Sequence, residues 1–194
     1  MTENTSPQDV LDFWFDAPGG PEYGQKRDIW FKKDDGFDDL IRSKFLSATD
    51  TALAGGFADW EDDLHNSLAL ILLLDQFPRN LFRGSDRSFA GDDRSRPVAN
   101  KAIKAGAGDQ FFMHQQLFTY LPFVHSEDLA DQARGVELMQ SLPENDGKKE
   151  SVDSAIRHQE IVERFGHFPH RNDVVGRIST AEEVEFLKGP NSSF

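Results

Sequence analysis

The chain has 194 residues, a net charge of −13 at pH 7 and no cysteine, which removes disulfides, thiolate nucleophiles and sulfur-ligated metals from consideration. Its acidity repels nucleic-acid phosphates and anionic membranes, and no basic stripe of the size nucleic acid demands interrupts it. The polar opening Met1-Thr2-Glu3-Asn4-Thr5-Ser6 lacks a secretory pattern, and the longest apolar run, 68–74, is far short of the roughly 18 residues of a membrane span, so one soluble, cytoplasmic domain over residues 1–194 is expected.

Helical periodicity runs through nearly the whole chain. Ser6 can cap a first helix with Pro7 at its first position, and Val10, Leu11 and Trp14 share one face. Phe37, Leu40, Ile41 and Phe45 predict a second helix, stopped by Gly55-Gly56. A third, Trp60 to Gln76, is apolar on every side between Leu68 and Leu74, the pattern of a helix surrounded by others. Phe77 precedes a proline, which disfavours helical backbone, so this helix is predicted to end there.

Ser88 to Ala105 is a weaker helix whose opening, Gly91 to Pro97, reads as an exposed turn. His114 to Leu121 and Leu129 to Met139 follow, the second entered through a Ser126 cap and the acids Glu127 and Asp128. Pro143 to Gly147 is a loop, and Lys149 to Phe165 is the last long helix, closed by Gly166. Ser179 or Thr180 with Glu182 or Glu183 makes a capping box for a short terminal helix. No window shows the two-residue alternation of a strand, so the fold class is all-α.

One motif is written twice, as Phe77-Pro78-Arg79-Asn80 and Phe168-Pro169-His170-Arg171-Asn172. Each copy sets cations where a helix is expected to begin, although the first helical turn favours anions. A local rule broken twice marks either a functional site or a buried ion-pair network. In the first copy Asp75 sits in the last turn of an apolar helix, with Arg79 and Arg83 placed to neutralise it, as a clamp or as a binding site. Around the second copy gather His158, Arg164, His167, His170, Arg171 and Asn172, with Arg177 beyond. His158 shares an inward face with Ile161, Val162 and Phe165. In the cluster His125-Ser126-Glu127-Asp128 the adjacent Ser and His cannot face each other as nucleophile and base, which leaves His125 or Glu127 as a possible acid/base group.

Neither the Glu-x-x-His spacing of helical di-iron sites nor His-Glu-x-x-His is present, and no glycine-rich phosphate loop, dinucleotide fingerprint or nucleophile elbow is found. No metal or cofactor is predicted. The three Trp and 17 Phe read mostly as core.

Longer stretches resemble one bacterial family. They are Leu68-Ala69-Leu70-Ile71-Leu72-Leu73-Leu74-Asp75-Gln76-Phe77-Pro78-Arg79-Asn80, Tyr120-Leu121-Pro122 with His125-Ser126-Glu127, and Arg164-Phe165-Gly166 with Phe168-Pro169-His170-Arg171-Asn172. Gly176-Arg177-Ile178-Ser179-Thr180 and Val10-Leu11-Asp12-Phe13-Trp14-Phe15 also fit. Together they resemble the proteins grouped as domain of unknown function 924, with His167 standing where the family pattern has Arg. The resemblance implies stacked antiparallel helix hairpins similar to tetratricopeptide-repeat proteins, and it implies no activity.

Two functional readings follow, the first preferred and the second its alternative. One is a binding module whose concave face holds an anionic peptide end or small metabolite, drawing on Asp75, Arg79, Asn80, Arg83, Glu127, Arg164, His167, Arg171 and Asn172. The other is a small-molecule hydrolase or lyase with His125, His158 or His170 as acid/base and arginines as charge stabilisers. Both place Arg79 and Arg171 in one cavity. An open groove favours binding, and an enclosed pocket holding several imidazoles of shifted pKa favours catalysis.

Overall fold

A computed structural model describes residues 5–145 and 147–193. The first helix, α1 (Pro7–Phe15), opens on a reciprocal cap. The Asp9 N–H donates to the Ser6 hydroxyl and the Ser6 N–H donates to the Asp9 carboxylate. A 3₁₀ turn, Asp28–Phe31, precedes α2 (Asp35–Leu53). The loop between α1 and that turn is tied back where α1 ends. Arg27 donates to the Phe13 and Trp14 carbonyls at 2.8 Å each, and the Trp30 indole donates to the Trp14 carbonyl at 2.9 Å.

The apolar helix starts later than its periodicity predicts. Residues Ala58–Asp62 form a 3₁₀ turn, and Asp63 accepts from the His65 and Asn66 N–H groups to open α3 (Leu64–Ile71). Leu68 to Leu74 are fully buried, and α3 packs against α1, the Ala58–Asp62 turn, and the α5 and α7 helices described below.

The helix does not end at Phe77, which corrects the sequence reading. It widens into a π turn over Leu72–Gln76, where the Phe77 N–H reaches the Leu72 carbonyl, and resumes as α4 (Phe77–Leu81) with Phe77 at φ −62° and ψ −37°. A proline inside a helix lacks an N–H and crowds the carbonyl four residues before it, here that of Leu74. The wider turn absorbs this without breaking the rod.

Gly91 packs directly on that carbonyl, and a Cβ added there would lie 2.1 Å from the Leu74 oxygen. The contact is backbone on backbone, so no side chain can yield. Gly91→Ala is expected to cost about 1–3 kcal/mol or more in urea unfolding, and a midpoint equal to that of the native chain would show that the two segments can separate freely.

From Gly91 the chain enters α5 (Asp92–Lys104), which corrects the predicted exposed turn over Gly91 to Pro97. Asp92 and Asp93 suit the N-terminal end of the helix dipole. Pro97 lies on the exposed side, where water can serve the carbonyl it leaves unmatched. The short α6 (Ala107–Gln110) leads to α7 (Met113–Val124), which runs past the predicted end through Pro122. The next helix, α8 (Leu129–Gln140), is capped by Asp128 and not by Ser126, whose hydroxyl instead donates to Asp131. The long α9 (Lys148–Phe165) closes on Gly166 at φ 76°, a left-handed cap that suits glycine. A 3₁₀ turn, Pro169–Arg171, and α10 (Ala181–Phe186), with its Thr180–Glu183 capping box, complete the fold. No strand occurs among the described residues.

The fold is all-α. Consecutive helices α7, α8 and α9 pack each against its neighbour, whereas α1, α2 and α5 gather around the α3–α4 rod. One contiguous apolar core runs from Val10 to Ala155, and a smaller one joins Ile161, Val162 and Phe168.

Candidate functional site

Between the α3–α4 rod, α7 and α9 lies a cavity of about 770 Å³, within the range of small-molecule sites. The 26–33 segment and the Pro169–Arg171 turn complete its wall. Trp30, Phe31, Phe89, Leu117, Leu121 and Met139 supply apolar surface.

Its inner end is backed by a chain of charges, in which Arg79, His125 and Arg171 line the cavity and Asp75 and Asp92 lie behind them. The π turn presents Asp75, fully buried, with Oδ1 2.8 Å from His125 Nδ1 and 3.3 Å from Arg79 Nη1, while the Gln76 amide donates to Oδ2 at 2.6 Å. Arg79 donates through both terminal nitrogens to the Asp92 carboxylate, at 2.8 and 3.0 Å, and to the Asp75 carbonyl at 2.7 Å. Arg171 reaches the same Asp92 at 3.2 Å and the His125 carbonyl at 2.9 Å. Its guanidinium lies between the rings of Phe89 and Phe168, 4.3 and 4.7 Å from their centroids, and its Nε is buried without a hydrogen-bond partner. Arg79 and Arg171, 92 positions apart in the chain, therefore share one carboxylate in one cavity.

Burial and charge divide the protons among these groups. Burial alone would raise the Asp75 pKa, but Arg79, His125 and Gln76 hold it well below the ordinary carboxylate range. Burial and the Arg79 charge together lower His125, outweighing the pull of Asp75. The carboxylate is ionised and the imidazole neutral near pH 7. An ionised carboxylate only accepts hydrogen bonds, so the proton sits on Nδ1 and His125 Nε2 keeps its lone pair.

Burial pushes His158 down to about 3, and its Nδ1 hydrogen donates to the Ser154 carbonyl at 2.8 Å. Burial, reinforced by Arg171, pushes His170 to about 4. His114, also on the cavity wall, is lowered by burial. Arg171 falls to about 10, because burial and Arg79 outweigh its share of Asp92. Burial works against the Arg79 charge too, yet Asp75 and Asp92 hold its pKa above the ordinary value.

Other candidates serve neighbouring ties. Asn80 and Arg83 line the cavity but are engaged by Asp38 of α2, with Asn80 Nδ2 at 2.7 Å and Arg83 Nε at 2.6 Å. Glu127 accepts both Arg177 terminal nitrogens and the Phe168 N–H, contacts that overcome burial and lower its pKa. Arg164, His167 and Asn172, which the sequence grouped with Arg171, are not brought into the cavity. Arg164 pairs with Glu182 on the surface, His167 lies 2.6 Å from Glu183, and Asn172 donates to Ser179. The Pro169–Arg171 turn directs Arg171 to one side while α10 receives the others.

Asp92, Asp38 and Gln76 were missed. Asp92 carried a local signal, an acid immediately after Gly91 and before a helical run, but its partners lie far away in the sequence. Among the described residues no three His, Asp or Glu side chains converge as a metal would require, and no helix is long and apolar enough to cross a membrane.

Comparison with solved structures finds a protein of unknown function from Agrobacterium tumefaciens, 40% identical, with a TM-score of 0.82 over 94% of this chain and 97% of that one. Comparison with curated proteins returns no match. The family profile of bacterial proteins of unknown function (DUF924) matches residues 10–191, nearly the entire length. The chain belongs to this bacterial family, DUF924.

Proposed function

We propose that the cavity is the active site of a small-molecule hydrolase or lyase in which His125 is the general base. The observation that carries this reading is the 2.8 Å pair between Asp75 and His125 at the inner end of the cavity. A buried, ionised carboxylate fixes the ring and its tautomer, so Nε2 is left to take a proton. Asp75 would also stabilise the imidazolium that forms. Arg171, whose Nε has no hydrogen-bond partner, would stabilise negative charge developing on the substrate.

Of the four serines on the wall, three are engaged elsewhere, and the Ser85 hydroxyl donates to the Asp86 carboxylate. The Ser88 hydroxyl donates to the Phe82 carbonyl and that of Ser151 to the Gly147 carbonyl. We assign His125 to act on water or on a substrate proton. A binding module on an open concave face is the less supported alternative, since several neutral imidazoles gathered in one recess serve proton transfer better than adhesion.

The test is a panel of small esters, lactones and amides with and without a carboxylate. The native chain is expected to turn over at least one, and His125→Gln to lower kcat/KM by about 10²-fold or more while the far-ultraviolet circular dichroism stays unchanged. Asp75→Asn should lower it comparably by releasing the tautomer. Turnover that survives in His125→Gln, or a panel left wholly intact, would sink the proposal.

A further inference from the structure

The outer end of the cavity differs in character from the inner end. Along one short segment, Lys26 precedes and Lys32 and Lys33 follow Trp30 and Phe31, and all five line the cavity. The lysine side chains are 42%, 66% and 71% exposed, whereas that of Arg171 at the inner end is 9% exposed. Each of these lysines is paired with an acid, and two of the acids, Asp28 and Glu150, also line the cavity, so the rim is balanced in charge within a chain of net charge −13.

The rim lysines are held by exposed acids, Lys26 by Glu150, Lys32 by Asp28 and Lys33 by Asp35. Such solvent-exposed pairs are weak and exchange readily for a ligand anion. Between them Phe31 is 58% exposed, stacked on Phe118 at 5.9 Å. A large aromatic left open beside three ammonium groups suits a ligand with an apolar body and an anionic head. The inner end cannot take that head as easily, because Asp75 and Asp92 already occupy Arg79 and part of Arg171.

We infer that the substrate is an amphipathic anion whose phosphate-, sulfonate- or carboxylate-type head rests against Lys26, Lys32 and Lys33. Its apolar body lies along Trp30 and Phe31, and its reacting group faces His125. The inference rests on the cavity being a ligand site, and it assigns the rim the work of orientation.

The experiment uses two fluorescent probes with the same rings. 8-Anilinonaphthalene-1-sulfonate carries the anionic head, and N-phenyl-1-naphthylamine lacks it. The native chain at low ionic strength is expected to bind the sulfonate at least tenfold more tightly than the neutral probe, with added salt closing the gap. Lys26→Gln, Lys32→Gln and Lys33→Gln combined should weaken sulfonate binding about tenfold and leave the neutral probe within twofold. Probe binding is read without turnover, so failure of the general-base reading and failure of this one are told apart. Equal affinity for the two probes, no binding of either, or full sulfonate affinity in the triple variant would each overturn the inference.

Discussion

Asp92→Asn is expected to destabilise the native chain by about 3–5 kcal/mol, read from urea unfolding at neutral pH. Asp92 is the carboxylate shared by Arg79 and Arg171, and with Asp75 it balances their two charges beside neutral imidazoles. The isosteric amide preserves volume and removes the charge, leaving a net cation in a largely buried cluster. Arg79 keeps Asp75, so the loss falls mainly on Arg171, which retains the His125 carbonyl as its other hydrogen-bond acceptor. Arg171→Met should relieve much of the cost when added to Asp92→Asn, since it takes away the charge left unmatched. Alone it should cost less than Asp92→Asn, because Asp92 still grips Arg79 through two hydrogen bonds. An Asp92→Asn midpoint matching that of the native chain would mean that water, not Asp92, neutralises the two guanidinium groups.

Mild acid should unfold this protein well above the pH at which its carboxylates titrate. His158 and His170 are held to about 3 and 4 in the folded chain, against about 6.5 when unfolded. Between those values the unfolded chain takes up protons that the folded chain refuses, so stability falls as pH falls. Each group contributes a slope of roughly 1.4 kcal/mol per pH unit over that window. His125 and His114, lowered in the same sense, add to it. Asp75 acts later, because a depressed carboxylate stabilises above its unfolded pKa of about 3.9 and loses that contribution only below it. Urea midpoints at half-unit steps from pH 7.5 to 4.5 should therefore decline steeply from about pH 6.5. His158→Gln should flatten part of the decline. A stability profile level from pH 7 to 5 would contradict the burial of neutral imidazoles.

Much of the fold is written in local chemistry. Ser6 with Asp9, Thr180 with Glu183 and Gly166 after Phe165 each satisfy a helix end with neighbouring residues, so nearby spacing suffices to find them. The π turn escapes that logic. The rule that a residue before proline leaves the helix is sound for an isolated chain, but a rod buried among α1, α2, α5 and α7 holds Phe77 helical. The repeated Phe-Pro motif located Arg79 and Arg171, yet the two copies do different things. In one the chain continues as helix, and in the other it enters a 3₁₀ turn.

Partners set by tertiary structure were out of reach. Asp38 meets Asn80 and Arg83 across 42 and 45 positions, and Asp92 meets Arg171 across 79. No periodicity encodes such a distance. Sequence neighbours can mislead equally, for Arg164, His167 and Asn172 stand close to Arg171 in the chain and face α10 instead.

The π turn also changes how residues along the rod are counted. A single π turn is equivalent to one residue inserted into an α-helix, and each residue advances a helix by about 100°. Residues before and after Leu72–Gln76 are thus out of phase with each other. Leu68, Leu70 and Ile71 follow one winding, while Arg79, Asn80 and Arg83 follow another. Deleting one residue within 72–76 would restore a uniform winding and swing Arg79 about a quarter turn around the axis, away from Asp92. The rod would remain apolar, helical and buried, but its two ends would no longer address the same hollow.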